Sequence, residues 1–202
     1  MLDLQSLLVP FVHEPLAPAQ LDNLSAYLDL LMRWNAKISL TAIRDPEQIV
    51  RRHFGESLFT GEQLLPRPAE TLADFGSGAG FPGLPIAVLY PSARVILIES
   101  QMKKVTFLRE VIRSLGLSNA SVHAGRAEES AMKSQIVTIR AVEKFKSSLS
   151  VAASLLAPEG RLALLIGVAQ VELAKQELPG LAWQPSIHIP QSSSGVLLIG
   201  QS

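Results

Sequence analysis

The chain contains no cysteine anywhere in its 202 residues. That absence excludes disulfides, cysteine-ligated zinc, iron–sulfur clusters and thiol catalysis, and it fits a reducing cytosol. Net charge is absent too: 18 Lys and Arg balance 18 Asp and Glu, which argues against a strongly electrostatic nucleic-acid binder. No segment approaches about eighteen unbroken apolar residues, and the N-terminus lacks a basic region followed by an apolar one. Neither a membrane span nor a signal peptide is expected. There is no internal repeat, and no low-complexity tract beyond Ser192-Ser193-Ser194. What is present is apolar material: 48% of the residues, which disfavours disorder and is enough for one domain with a substantial core.

The neutral total hides an uneven distribution. Residues 33–52 hold Arg33, Lys37, Arg44, Arg51 and Arg52 against Asp45 and Glu47. Residues 103–113 hold Lys103, Lys104, Arg109 and Arg113 against Glu110, and residues 133–146 hold Lys133, Arg140, Lys144 and Lys146 against Glu143. Taken singly, each stretch reads as a solvated helix face. Their convergence on one face is a question for the fold.

Patterning divides the chain. Residues 2–11 suit a short helix. From Pro18, a good first-turn residue, Leu21, Leu24, Leu28 and Leu31 follow helical spacing to about Trp34. Asp45-Pro46 is a helix-start signal, and Asp45–Leu58 reads as another helix. Strands and helices then alternate. Thr71–Phe75 is a strand, followed by a glycine-rich turn and an apolar helix ending near Tyr90-Pro91. Arg94–Glu99 is a second strand, and Lys103–Leu115 is a helix with Gly116 as its cap. Ala120–His123 and Ile136–Arg140 are strands. Val142–Leu156 is a helix stopped by Pro158-Glu159-Gly160. Arg161–Ile166 is a strand, roughly Ala169–Glu177 a helix, and Ser186–Ile189 with Val196–Ile199 a terminal antiparallel pair. This alternation predicts an α/β fold with a mostly parallel central sheet covered on both faces and an antiparallel terminal hairpin. Residues 1–68 are expected to form a helical extension packed on a core of residues 69–202.

The strongest local signal is Asp74-Phe75-Gly76-Ser77-Gly78-Ala79-Gly80-Phe81-Pro82-Gly83. It follows the first strand and opens a helix, and its glycines allow a sharp turn and close ligand approach. Glu99 ends the next strand, near the spacing expected of a ribose-binding carboxylate. Dinucleotide enzymes use G-x-G-x-x-G to place a diphosphate on helix amides. Here the glycines give G-x-G-x-G, and Pro82 removes one amide donor. A methyl donor has no phosphate to cradle, so the pattern favours S-adenosylmethionine over NAD.

The run Arg33-Trp34-Asn35, Ser39-Leu40-Thr41, Arg44-Asp45-Pro46 and Arg52-His53-Phe54-Gly55-Glu56-Ser57-Leu58, followed by DFGSGAGFPGLPIAV, resembles the RsmG (GidB) family. Further matches are Lys104–Arg109, Arg126-Ala127-Glu128-Glu129 and Thr138-Ile139-Arg140-Ala141. The resemblance covers nearly the whole chain and is weakest at both ends. It implies a Rossmann-like class I S-adenosylmethionine-dependent methyltransferase in the cytoplasm, acting on guanine N7 of 16S ribosomal RNA or the small ribosomal subunit. Neither a metal nor a membrane is implied. It assigns Gly76 and Phe81 to the cofactor loop, Ala127 and Glu128 to the adenine, and Arg140 to completion of the cofactor pocket, beside Gly78 of the glycine turn and Glu99, which the spacing assigns to the ribose. Each has a plainer reading beside it. Phe81 is equally a core residue, and Glu128 an acid at a helix start. Arg140, ending an apolar strand, needs a partner in the cofactor's carboxylate, Asp74 or Glu56. Trp34 and Trp183 read as packing and His53 as a packed or capped histidine.

The reaction needs no catalytic acid, base or nucleophile, because guanine N7 offers a lone pair and no proton at neutral pH. Several positions depart from the family. Glu56 stands where an aspartate is usual, Ser39 where an asparagine is, and Ser77-Gly78-Ala79-Gly80 where Thr-Gly-Pro-Gly is. Ile166-Gly167 replaces a lysine–glycine pair, and a basic residue expected near Ser194-Gly195 is missing. Rival readings are a methyltransferase for another RNA or a small molecule, or a cofactor-binding protein that has lost transfer. An NAD-dependent oxidoreductase is a distant third.

Overall fold

The computed structural model describes residues 2–64, 70–129, 132–142 and 144–202. The expected boundary between residues 68 and 69 lies outside the described residues, as does Glu143 of the third basic stretch and of the helix expected from Val142.

The N-terminal helices form for local reasons. Helix α1 (Leu4–Leu8) starts where Asp3 accepts from the Ser6 amide at 3.1 Å, and a 3-10 turn, Val9–Phe11, follows it. Helix α2 (Pro18–Asn35) opens on proline and buries Leu24, Tyr27, Leu28 and Leu31 along one stripe. Helix α3 (Pro46–Ile49) is capped by Asp45, whose carboxylate accepts from the Gln48 amide at 2.8 Å. It continues through a π-helical stretch, Val50–Gly55, into α4 (Glu56–Leu64). The helix expected over Asp45–Leu58 is therefore composite and runs further. Within its wide turn, Gly55 lies so close to the Phe11 ring that a Cβ would come within 2.6 Å of it.

The strands are β1 (Thr71–Phe75), β2 (Arg94–Glu99), β3 (Ala120–Ala124), β4 (Ser134–Arg140), β5 (Leu156–Gly167), β6 (Ala182–Trp183), β7 (Ile187–His188) and β8 (Gly195–Gln201). They form one sheet in the order β3-β2-β1-β4-β5-β8-β6, with β7 also paired to β8. The first five are parallel, and β8 is antiparallel to β5, β6 and β7. Helices α5 (Gly83–Leu89), α6 (Met102–Leu115), α7 (Phe145–Ser154) and α8 (Val171–Glu177) connect them.

Two apolar clusters flank the sheet, and strand alternation deals residues to each. Ala163, Leu165, Leu197 and Ile199 join the cluster built on the N-terminal helices, α5 and α6. Leu162, Leu164, Ile166, Val196 and Leu198 join the cluster holding Leu149 and Ala152 of α7 and Val171 and Ala174 of α8.

Two expectations need correction. Pro158-Glu159-Gly160 does not stop the preceding helix, which already ends at Ser154; it lies inside β5, where the pairing with β4 shifts register. Glu159 adopts φ +58° there, so turn-forming residues mark an irregularity within the strand rather than its start. The short edge strand β6 also falls outside the expected hairpin.

Candidate functional site

The strand order reverses between β1 and β4, with β2 and β3 on one side and β5 on the other. In open α/β sheets this switch point leaves a crevice at the carboxyl ends of the strands. The ends of β1, β2 and β4 deliver Gly76, Glu99 and Arg140 there.

The glycine loop is tied down from below. Asp74 is fully buried. Its Oδ1 accepts from Thr138 Oγ1 at 2.8 Å and its Oδ2 from the Gly83 amide at 3.1 Å. Burial pushes its carboxyl up to about 6, against these hydrogen bonds, which pull it down. Gly76, Gly78 and Gly80 all take positive φ, at +67°, +57° and +95°. At Gly80 space is also decisive, because a Cβ would lie 2.6 Å from the Tyr27 hydroxyl. That hydroxyl donates to the Ala79 carbonyl. Burial raises the Tyr27 pKa well above its ordinary value, with Asp74 adding to the effect, so the phenol stays protonated.

Glu99 is buried and faces the loop. Its Oε2 accepts from the Gly78 amide at 3.0 Å and its Oε1 from the Gln101 amide at 2.8 Å. A carboxylate has about four lone-pair positions, so roughly two stay open to a ligand's hydroxyls. Beside it is a cavity of about 260 Å³ lined by Phe75, Gly76, Ile98, Glu99, Ser100, Gly125, Arg126, Ala127 and Glu128. Ala127 is buried at its back and Glu128 is exposed at its rim.

A second cavity, of about 550 Å³, lies beyond β4. Arg52 and Glu56 of the composite helix line it, with Arg140–Val142, Phe145, the end of β5 and the loop Gln191–Gly195. A Cβ on Gly76 would sit 3.6 Å from Val142 Cγ1, so the two cavities lie side by side at Gly76. The Nη2 of Arg140 donates to Glu56 Oε2 at 2.7 Å and to the Arg52 carbonyl at 2.6 Å. Burial pushes the Glu56 carboxyl up, against the pull of Arg140 and Arg52. The Nη1 of Arg140 is buried with no partner among the described residues. An unmet guanidinium donor in a cavity wall is a place for an external acceptor. Ile166, at the position where a lysine resembles the family better, is buried and lines this cavity.

Gly76, Glu99, Ala127 and Glu128 thus share the smaller cavity, Gly78 binds Glu99 from the loop, and Arg140 lines the larger cavity. Phe81 lines neither. It is sandwiched between Tyr27, at 5.4 Å and 17°, and His53, at 4.8 Å and 21°. His53 Nε2 lies 2.7 Å from Thr41 Oγ1, and burial, with Arg140 and Arg52 nearby, lowers its pKa to about 3. The Asn35 carboxamide knits the intervening loop, accepting from the Leu40 and Thr41 amides at 2.9 and 3.0 Å. Sequence reasoning missed Tyr27 and the wall at Gln191–Ser193. A lone polar group on the apolar stripe of α2 was the available signal for Tyr27. Gln191 had none, because its link to Arg51, at 2.8 Å, joins residues 140 positions apart in the chain.

Residues 20–180 match the family model for rRNA small subunit methyltransferase G. The chain is 39% identical over 193 residues to the ribosomal RNA small subunit methyltransferase G of Cupriavidus necator, covering 87% of this chain and 83% of that one. It is 45% identical over 146 residues to the protein of the same name from Xylella fastidiosa, covering 71% and 68%. Among solved structures, M. jannaschii TYW2 in complex with AdoMet superposes with a TM-score of 0.62 at 17% identity, covering 82% of this chain and 78% of that one. At that identity the likeness is one of fold.

Proposed function

The chain belongs to the rRNA small subunit methyltransferase G family, and from that membership we propose that it transfers the methyl group of S-adenosylmethionine to guanine N7 in 16S ribosomal RNA. The observation that carries this reading is the two cavities lying side by side at Gly76, with Glu99 on one side and the unmet Arg140 Nη1 on the other. The smaller cavity suits an adenosine. Glu99 takes the ribose hydroxyls on its free lone pairs, and Ala127 and Glu128 flank the adenine. Gly76 lets the donor's chain pass the loop at close range, and Arg140 Nη1 takes its carboxylate. Phe81 supports the loop from behind, stacked in the aromatic core.

S-adenosylmethionine supplies an electrophilic methyl group when bound. The chain's own task is positioning. N7 carries a lone pair and no proton, so no residue has to remove one, and alignment alone contributes up to roughly 7–11 kcal/mol in favourable cases. Phe75, Val142 and Phe145 furnish apolar surface in the two cavities. The substrate is the ribosomal RNA within the small subunit or on its way into it, in the cytoplasm.

Glu99→Ala is expected to weaken binding of S-adenosylmethionine by about 1.5–3 kcal/mol, read by calorimetry. Equal affinity for mutant and wild type would remove Glu99 from the site. Transfer of labelled methyl to small subunits, followed by mapping of the modified base, tests the substrate. Cofactor binding without any methylated RNA favours the other-substrate or binding-protein reading.

A further inference from the structure

Two of the basic stretches meet in the fold. The end of α2 and the start of α6 enclose a groove of about 450 Å³ lined by Arg33, Trp34, Lys37, Ile38, Lys103 and Glu110. Trp34 stands edge-on to Phe107 at 5.7 Å, and its Nε1 donates to Glu110 Oε2 at 3.1 Å. The one carboxylate of the lining is therefore engaged by an indole. Arg33, Lys37 and Lys103 are exposed, and none forms an ion pair among the described residues. Lys103 also stands in the first turn of α6, which contains no acid, where the helix dipole opposes a cation. A chain with no net charge thus gathers three unpaired cations against the single carboxylate of Glu110 in one concavity. The groove lies next to the cofactor cavity, because only Ser100 and Gln101 separate Glu99 from α6.

We propose that this groove grips the sugar–phosphate backbone of the RNA substrate, with phosphates bridging Arg33, Lys37 and Lys103. The inference rests on the RNA-methylation reading above. A polyanion fits better than an acidic protein, because the lining offers exposed cations and no free aromatic anchor: Trp34 is already packed and hydrogen-bonded.

The test pairs Lys37→Gln with Lys103→Gln, and uses Arg94→Gln with Lys133→Gln as a control of equal charge. The control residues lie at the opposite, amino ends of β2 and β4. Binding of a small-subunit RNA fragment is followed by fluorescence anisotropy across a salt series, beside thermal unfolding and cofactor calorimetry. The groove variant is expected to lose ~10-fold in RNA affinity and to flatten the salt slope by roughly one per lysine, with cofactor affinity and unfolding temperature unchanged. The control is expected to match wild type. An unaltered slope in the groove variant, or an equal change in the control, overturns the proposal, as does loss of binding to polyglutamate with the RNA slope intact. A wild type that binds RNA through this slope but methylates no RNA sinks the functional reading and leaves the groove standing. A wild type that methylates RNA while the groove variant keeps its slope does the reverse.

Discussion

His53 and Asp74 have had their proton affinities moved in opposite senses by the same physical cause. Burial holds the Asp74 carboxyl at about 6, above its ordinary 3.8. Its ionised form is disfavoured in the folded chain, so stability falls as pH rises from about 4 to about 6, by roughly 2–3 kcal/mol. Burial, helped by Arg140 and Arg52, holds His53 at about 3, below its ordinary 6.5. Its cation is disfavoured, so stability falls as pH drops from about 6.5 towards 3. Between pH 4 and 6 the two slopes oppose each other. In Asp74→Asn the carboxamide can still accept from Gly83 and donate to Thr138 Oγ1 while losing the titration. That variant is expected to gain about 2–3 kcal/mol relative to wild type on going from pH 4 to pH 7. Urea unfolding at several pH values reads this directly, and parallel pH profiles for the two proteins would contradict it. The converse applies to His53→Gln, whose deficit against wild type is expected to shrink by about 2 kcal/mol between pH 7 and pH 5. Of the candidate residues, Glu99 was the most legible in its placement, since the end of its strand brings it against the glycine loop. Phe81 was the least, because an aromatic beside a glycine loop looks the same whether it faces a ligand or, as here, a tyrosine and a histidine.

Among the elements, the composite helix over residues 46–64 is the one whose irregularity reaches the site. Its π-helical stretch carries Arg52, whose carbonyl accepts from Arg140, and it hands over to α4 at Glu56. Wide turns of this kind often occur at functional sites. Gly55→Ala would push a methyl group into the Phe11 ring. It is expected to cost about 1–3 kcal/mol, lowering the melting temperature by roughly 2–12 °C in calorimetry; an unchanged melting temperature would show that Phe11 moves aside freely. The sequence announced this helix through Asp45-Pro46 but could not show the π turn, because residues 54–61 are all buried and no polar face marks the change of phase. The same limit applied to Pro158-Glu159-Gly160, whose turn chemistry is real but serves a register shift inside β5. Strands β1 and β2 were legible to the residue. Both are short, apolar and bounded by unambiguous turn residues.

At the scale of the whole molecule, neutrality is an average over unequal parts. The first basic stretch divides between two places, with Arg33 and Lys37 in the groove and Arg52 at the larger cavity. The third disperses: Lys133 donates to the Ser154 carbonyl, Lys146 pairs with Glu177, and Arg140 turns inward. Charge spacing along a chain carries no information about such sorting, which depends on how α2 lies across α6. Helix α2 also holds the glycine loop, through the Tyr27 hydroxyl on the Ala79 carbonyl, and ends at the groove. One helix therefore touches both the glycine loop and the groove proposed for RNA. Thermodynamic reciprocity then fixes a relation between two separate titrations: the factor by which cofactor tightens RNA binding equals the factor by which RNA tightens cofactor binding. Tyr27→Phe removes only the hydroxyl's hold on the loop and is expected to bring both factors towards one together, whereas a factor that survives the substitution would mean that the two reactants communicate by a route other than this helix.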